Sequence, residues 1–316
     1  MDNVTSFTYF LLVGISSSRE LQVLQGLLFL VIYLGALMGN LITVALIVTD
    51  TRLHAPMYFF ISNLSLLDLG SISVIVPKSI VNSLTGRRAI SLQECAAQIF
   101  LYILFATVEF ALLVVMSYDR YIAICHPLHY GLVVTPRMCI QAAGGSWACG
   151  LVYSAIHTGS MFRFPFTKTN LIHQYFCDMP QILRLSSPDV QFSEFVIIAA
   201  SAGLVVVCAV FVLMSYINIF STVLKICSAE ARSKALSTCV PQLAILLLFV
   251  ISGSVAVLGP VATEGSLKNL LTAMFYTMVP PFTNPILYSL RNREINAALS
   301  RMFNRHTEFP IKDFLS

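Results

Sequence analysis

The chain has 316 residues, 57% of them hydrophobic and only 11% charged, with a mean hydropathy of +0.81. Soluble domains carry roughly 25% charged residues, so composition excludes a water-soluble globular protein. The net charge of +4 is small and scattered, which excludes the basic patch that nucleic acid requires. The pattern predicts an all-α membrane protein: a single bundle of helices in a lipid bilayer, each span needing about 20 mostly apolar residues.

Residues 1–24 form a short leading segment with no positive stretch ahead of an apolar core, so no cleavable signal peptide is expected and the first span should serve as the insertion signal. Asn3-Val4-Thr5 is an N-glycosylation sequon. Asn63-Leu64-Ser65 also matches but lies in an apolar run, where it should stay unmodified.

The bundle is predicted over residues 25–290. Span one covers about Gln25 to Val48 and contains Gly39-Asn40. Span two runs from Met57 to Ile80 with Asp68 near its middle, and span three from Leu92 to Ile124 with Glu109 inside it. Span four, Cys139 to Thr158, holds Trp147 beside Gly144-Gly145-Ser146, small residues that permit close helix approach. Span five runs from Phe195 to Leu224, span six from Ala235 to Leu258 and span seven from Leu270 to Leu290. Residues 291–316 then turn amphipathic. Ile295, Leu299, Met302 and Phe303 share a face, with Arg293, Arg301 and Arg305 elsewhere, so a short interfacial helix is expected there.

The loop cations set the orientation. Arg52, Arg120, Arg137, Lys225, Arg232, Lys234 and the tail cations Arg291, Arg293, Arg301, Arg305 and Lys312 fall on one side, which the positive-inside bias assigns to the cytoplasm. The acids Glu94, Asp178, Asp189, Glu194 and Glu264 fall on the other, expected to face outward with the sequon. Cys95 and Cys177 are the two cysteines on the oxidising side and are paired on that ground; the remaining six lie in spans or on the inner side.

Three features carry chemistry. At the end of span three, Met116 to Tyr130 reads MSYDRYIAICHPLHY. Arg120 is costly in lipid and belongs at the membrane edge with Asp119 to neutralise it. Asp68 and Glu109 are the only acids well inside spans. Each costs at least ~2.5 kcal/mol at mid-membrane unless paired or hydrated, so they are either a structural hydrogen-bond knot or a cation or proton switch, with Asn40 and Asn284 as polar partners. In span seven, Pro285 breaks the helix ladder and makes a hinge. There is no HExxH, no GxSxG, no phosphate-cradling glycine loop and no Cys/His cluster, so neither an enzyme nor a metal site is expected. The spans show no internal repeat and offer no polar pore, which disfavours the alternative of a transporter or channel.

In this order, several motifs resemble the olfactory receptor family of the rhodopsin-like G-protein-coupled class. They are Leu53 to Phe60 (LHAPMYFF), Ser62 to Ser65 with Asp68, Met116 to Tyr130, Ser215-Tyr216, Lys234 to Cys239, and Pro281 to Asn292. The resemblance covers nearly the whole chain and implies a seven-transmembrane receptor. A small odorant would bind in the outer half, and a stimulatory heterotrimeric G protein on the cytoplasmic side would raise cyclic AMP. The resemblance implies that Asp119, Arg120, Tyr121, Tyr216, Asn284, Pro285 and Tyr288 carry activation. Arg120 would be held by Asp119 at rest, and Tyr216 and Tyr288 would swing inward. It matches Cys95–Cys177 to the class disulfide, and Asp68 with Glu109 to a buried acidic pair that would hold a sodium ion; no other cofactor is implied. The expected location is the plasma membrane, in cilia of olfactory sensory neurons. A chemoreceptor for a metabolite in another tissue is the alternative. The chain departs from the family at Gln242, where a His is usual; at Phe249-Val250-Ile251, where Phe-Tyr-Gly is usual; and at Thr167 and Ser187, where the outer loop usually carries further cysteines.

Helical spacing selects pocket candidates. They are Tyr102, Ile103, Ala106 and Thr107 on span three; Ala200, Ser201 and Leu204 on span five; Val250, Gly253, Ser254 and Val257 on span six; and Met274 and Thr277 on span seven. No acid or base lies on this inferred face, so the ligand is expected to be neutral and largely apolar.

Overall fold

The computed structural model describes residues 7–13, 18–166, 169–259 and 266–307. Asn3, Thr167, Glu264 and Lys312 lie outside the described residues, as do the side chains of Lys234, Arg291, Arg293, Phe303 and Arg305. Seven long helices form the bundle: α1 (Arg19–Thr49), α2 (Pro56–Thr85), α3 (Leu92–Cys125), α4 (Pro136–Met161), α5 (Pro188–Leu224), α6 (Ala229–Leu258) and α7 (Leu267–Arg291). A shorter helix, α8 (Arg293–Thr307), follows. Five of the seven, α1, α2, α3, α5 and α6, are each long and apolar enough to cross a membrane alone. The glycines of α4 and the three prolines of α7 lower their apolarity, and both helices pack into the bundle.

Five of the seven helices, α1, α4, α5, α6 and α7, begin several residues earlier than hydropathy places them because polar residues open their first turns, while α3 begins at Leu92 as expected. Ser91 accepts from the Glu94 amide at 3.2 Å while the Glu94 carboxylate accepts from the Ser91 amide at 3.0 Å, a capping box that starts α3. Pro136 and Pro188 sit in the first turns of α4 and α5, where a missing N–H costs nothing. The early start of α5 draws Glu194 into the bundle, a correction to its assignment as a loop acid; it is fully buried. Asp178, also expected on an outer surface, is buried too.

Helix contacts set the spacing of the bundle. A Cβ on Gly150 of α4 would stand 2.7 Å from Val108 of α3, so only glycine allows this approach. Pro285 in α7 has no N–H to offer the Pro281 carbonyl one turn back. The Asn40 side chain of α1 donates to that carbonyl at 2.9 Å instead. The α7 break is thereby satisfied from α1, where Gly39 leaves room for the Pro285 ring.

Three short strands, β1 (Tyr9–Leu12), β2 (Ala89–Ser91) and β3 (Leu171–Ile172), make a small sheet in the order β2-β1-β3. β1 runs antiparallel to β2 with Phe10 opposite Ile90, and parallel to β3 with Leu12 opposite Ile172. Sequence reading left this part of the leading segment without structure. Alternation in β1 buries Phe10 and Leu12, and the Phe10 ring meets Phe166 edge-on at 5.1 Å. The Cys95–Cys177 disulfide joins α3 to the segment after β3 beneath this sheet. At the other end of the bundle, α8 lays Ile295 and Ala298 against the core, and Arg301 pairs with Asp50 at 2.5 Å.

Candidate functional site

Three polar assemblies lie along the bundle. At the end away from the disulfide, Arg120 and Asp119 are both buried and paired, Nε to Oδ2 at 3.0 Å and Nη2 to Oδ2 at 2.5 Å. The second carboxylate oxygen accepts from the Tyr130 hydroxyl at 2.8 Å. Burial, reinforced by the Asp119 charge, raises the Tyr130 phenol above its usual range, so it stays a donor. Asp119 is thus satisfied on both oxygens, as a buried carboxylate must be. Tyr121 is turned to His126, hydroxyl to Nε2 at 3.1 Å. Tyr216 and Tyr288 are buried with hydroxyls that have no partner. Gln242, where a His is usual, is buried with both amide atoms unpartnered.

Midway, Asp68 of α2 accepts from the Asn284 side chain of α7 at 3.1 and 3.3 Å. Glu109 of α3 lies beside them and shares Asn284. Asn284 Oδ1 and the fully buried Ser65 Oγ have no partner. Asn284, the residue before the Pro285 hinge, is therefore tied directly to Asp68. Among the described residues no group of three or more His, Cys, Asp or Glu side chains could hold a metal ion. The donor set here is two carboxylates with neutral oxygens, hard oxygen ligands without the imidazole or thiolate that softer metals favour.

At the disulfide end, the loop between α4 and α5 is bonded into the helices. Gln98 of α3 accepts from the Cys177 amide at 3.0 Å and donates to the Val74 carbonyl at 3.1 Å. The Tyr175 and Thr277 hydroxyls lie 2.6 Å apart, and Tyr276 donates to Asp178 at 3.2 Å. Burial pushes the Asp178 carboxyl up to about 7 against the downward pull of that hydrogen bond. Below this roof, α3 supplies the buried Ile103 and the half-buried Tyr102, Ala106 and Thr107. Met274 and Thr277 are buried on α7, Gly253 is half-buried on α6, and Ser201 of α5 accepts from the Tyr153 hydroxyl at 3.1 Å.

The other candidates need correction. Leu204 is 66% exposed, Val250 48% and Val257 60%, and Ala200 and Ser254 are exposed as well. The buried positions of α5, Val190 and Glu194 near one end and Val212, Ser215 and Ile219 further on, define a face that carries Ser201. Ala200 lies about 100° around the helix from it. On α6 the inward positions are Phe249, Ser252 and Ala256; Ser252 is buried, and Phe249 stacks on Phe110 of α3 at 6.1 Å. Hydropathy does not fix helix rotation when every face is apolar.

No acid or base is expected on the inferred pocket face, but the disulfide half does hold an ionisable pair between α4 and α5. His157 of α4 and Glu194 of α5 are both buried and in contact, Nδ1 to Oε2 at 2.6 Å. Each is ionisable and sits near a span end, but their partnership spans 37 residues and only the packing of α4 on α5 brings them together.

The comparisons with known proteins agree with this architecture. A family model described as olfactory receptor matches residues 29–306. Human olfactory receptor 14I1 is 52% identical over 303 residues, covering 96% of this chain and 97% of its own length. Human olfactory receptor 5B12 is 42% identical, with 95% and 96% covered. The crystal structure of squid rhodopsin shares the fold, with a TM-score of 0.65 at 18% identity over 94% of this chain and 90% of that one. The chain belongs to the olfactory receptor family, a family of multi-pass plasma-membrane receptors rather than enzymes, built on the rhodopsin fold.

Proposed function

We propose that the protein is an odorant receptor that activates a stimulatory heterotrimeric G protein and raises cyclic AMP. Its ligand is a small, mostly apolar neutral molecule bound in the disulfide half of the bundle. The disulfide end and N-terminus face outward, the Arg120 end faces the cytoplasm, and the receptor resides in cilia of olfactory sensory neurons. The observation that carries this reading is the buried Asp119–Arg120 pair together with the buried Tyr216 and Tyr288 hydroxyls of α5 and α7, which have no partner. An unmet buried hydroxyl costs about 1–3 kcal/mol, so Tyr216 and Tyr288 favour a second arrangement in which they find partners. Ligand binding selects that arrangement if it binds it more tightly. Arg120 then leaves Asp119 and becomes available to the G protein, with Pro285 as the hinge.

The acidic pair supports a sodium ion as the companion of the resting arrangement. Asp68 and Glu109 would hold it, with Ser65 and Asn284 supplying neutral oxygens. Replacing sodium by choline should then shift the response of the wild type and leave Asp68→Asn unmoved.

Cyclic AMP in cells expressing the wild type or Arg120→Ala, both quantified at the surface, tests the main reading. The expected outcome is a response to one or more members of a broad odorant panel that vanishes in the variant. A response of equal size in Arg120→Ala sinks the proposed coupling mechanism.

A further inference from the structure

The turn that ends α2 builds a small polar cavity at the disulfide end of the bundle. Gly86 closes α2 in the left-handed conformation, φ 74°, where a side chain would be strained. The chain then passes into β2 through the exposed Arg87 and Arg88. β1 covers this turn, its Leu12 amide donating to the Arg88 carbonyl at 2.8 Å. Between β1, the first turns of α1 and the end of α2 lies a cavity of about 40 Å³. Gln25, Asn82, Arg87 and Arg88 line it, and it shares no residue with the pocket candidates of α3, α5, α6 and α7.

The lining is rich in N–H donors and holds no negative charge. Gln25 is 8% exposed, and its amide has no partner among the described residues. The Asn82 amide nitrogen has none either. A buried amide left unmet costs free energy until a polar occupant meets it. Among the described residues no acid lines the cavity, and neither Arg87 nor Arg88 is paired with a carboxylate. Glu94, at the start of α3, is taken by Lys78 at 3.2 Å. The partial negative charge at the end of α2 is met separately. Arg19 donates to the Ser83 and Leu84 carbonyls, and the Gly86 amide donates to that of Asn82 at 2.9 Å. Arg87 and Arg88 thus keep their charge for an occupant.

We propose that this cavity is a binding site for a small carboxylate of the size of acetate, separate from the proposed ligand pocket. Water would meet the amides but leave the two arginines without a counter-charge; an anion meets both. A carboxylate is planar with two acceptor oxygens, the shape that guanidinium N–H groups match. The volume sets the size. One water needs about 10–15 Å³ of such space, so the cavity admits about three waters or one carboxylate head. The site does not depend on the receptor function proposed above, because a bound anion is read on the isolated protein.

Thermal melting of the purified wild type in detergent tests the site, in sodium acetate, chloride or phosphate at one neutral pH. Total sodium is held constant with isethionate, a bulky anion, so that the acidic pair makes no difference between samples. Acetate should raise the melting temperature saturably, half-maximal at about 1 mM as suits so small a ligand, and by about 5 °C at 100-fold that concentration. Chloride and phosphate should do much less. Arg87→Gln/Arg88→Gln changes two exposed residues and should fold; it should need at least about tenfold more acetate. A purely structural role for the arginines would lower the melting temperature without moving the acetate midpoint. Asn82→Asp places a carboxylate in the cavity, so it should melt above the wild type without acetate and gain nothing from it. Lys268→Gln removes an exposed charge elsewhere and should respond as the wild type does.

A wild type indifferent to acetate overturns the proposal. So does an equal shift with chloride or phosphate, an unchanged acetate midpoint in the double variant, or an undiminished acetate shift in Asn82→Asp. Odorant responses read by cyclic AMP would stand in each of those cases, and their absence would leave an acetate shift untouched, so the site and the receptor function fail separately.

Discussion

Among the described residues, hydrogen bonds that tie the long helices to other elements are short and numerous at the disulfide end, whereas at the Arg120 end the short ones lie with the flanking segments, Tyr130 to Asp119 at 2.8 Å and Arg301 of α8 to Asp50 at 2.5 Å. At the first, Gln98, Ser79, Tyr175, Tyr276 and Asp178 tie loop to helix at 2.6–3.2 Å, above the Cys95–Cys177 bond. At the second, Asp119 is held by Arg120 and Tyr130 from its own stretch of chain. Bonds between helices there include the 3.4 Å Cys125–Thr222 and Tyr58–Asn292 contacts, while Tyr216, Gln242 and Tyr288, on α5, α6 and α7, have none. Buried polar groups that are fully met make one arrangement unique, and groups left unmet narrow the gap to another. The molecule therefore has a fixed disulfide end and an Arg120 end freer to rearrange, the division that the proposed odorant reception would use.

Breaking the fixed end should have the largest effect. The Cys95–Cys177 bond closes a separation of 82 residues, a loop that the chain-entropy account values at about 4 kcal/mol. Cys95→Ser/Cys177→Ser should lower the melting temperature of the purified receptor sharply and abolish most surface display. A double variant that melts and traffics like the wild type would show that the sheet and the tyrosine bonds hold the roof without the bridge.

The rearranging end allows a test of opposite sign. Gln242 is buried with neither amide atom bonded, so Gln242→Leu should raise stability by about 1–2 kcal/mol, seen as a higher melting temperature. The same change should weaken the cyclic AMP response if the amide finds its partners in the active arrangement. A fall in melting temperature would mean that Gln242 is satisfied at rest, and the contrast between the two ends would lose one of its three supports.

What the sequence disclosed follows the same division. The seven spans, the amphipathic α8 and the Asp119–Arg120 pair come from hydropathy and from the cost of charge in lipid, which are local properties. Helix starts lie upstream of the expected ones in α1, α4, α5, α6 and α7 but not in α3: α5 begins at Pro188, which makes Glu194 a buried acid rather than a loop acid. The pocket candidates on α3 and α7 face the bundle interior, where polar groups mark the inner face, whereas on α5 and α6 only Ser201 and Gly253 do and the other candidates are exposed. Val250 and Leu204 look no different from Phe249 and Ile198 in an all-apolar stretch, and only packing distinguishes them. The His157–Glu194 pair and the β1 sheet are long-range pairings with no local signal.

The smallest effect is a pH dependence at the roof. Burial raises the Asp178 carboxyl from its ordinary value near 4 to about 7. The folded state therefore binds a proton that the unfolded chain releases, and stability falls as pH rises between about 4 and 7. Below this window both states are protonated and the full contribution is present; above it the folded state carries a buried charge supported by Tyr276. The purified wild type should melt at a higher temperature at pH 5 than at pH 7.5, and Asp178→Asn, which cannot ionise, should flatten that slope. Tyr276→Phe removes a donor that helps the charged form, so it should cost about 1 kcal/mol at pH 7.5 and less at pH 5. A slope unchanged in Asp178→Asn would assign the dependence to another group. A Tyr276→Phe penalty that is equal at both values would mean that the bond serves the protonated acid as well as the charged one, leaving the roof fixed across the range.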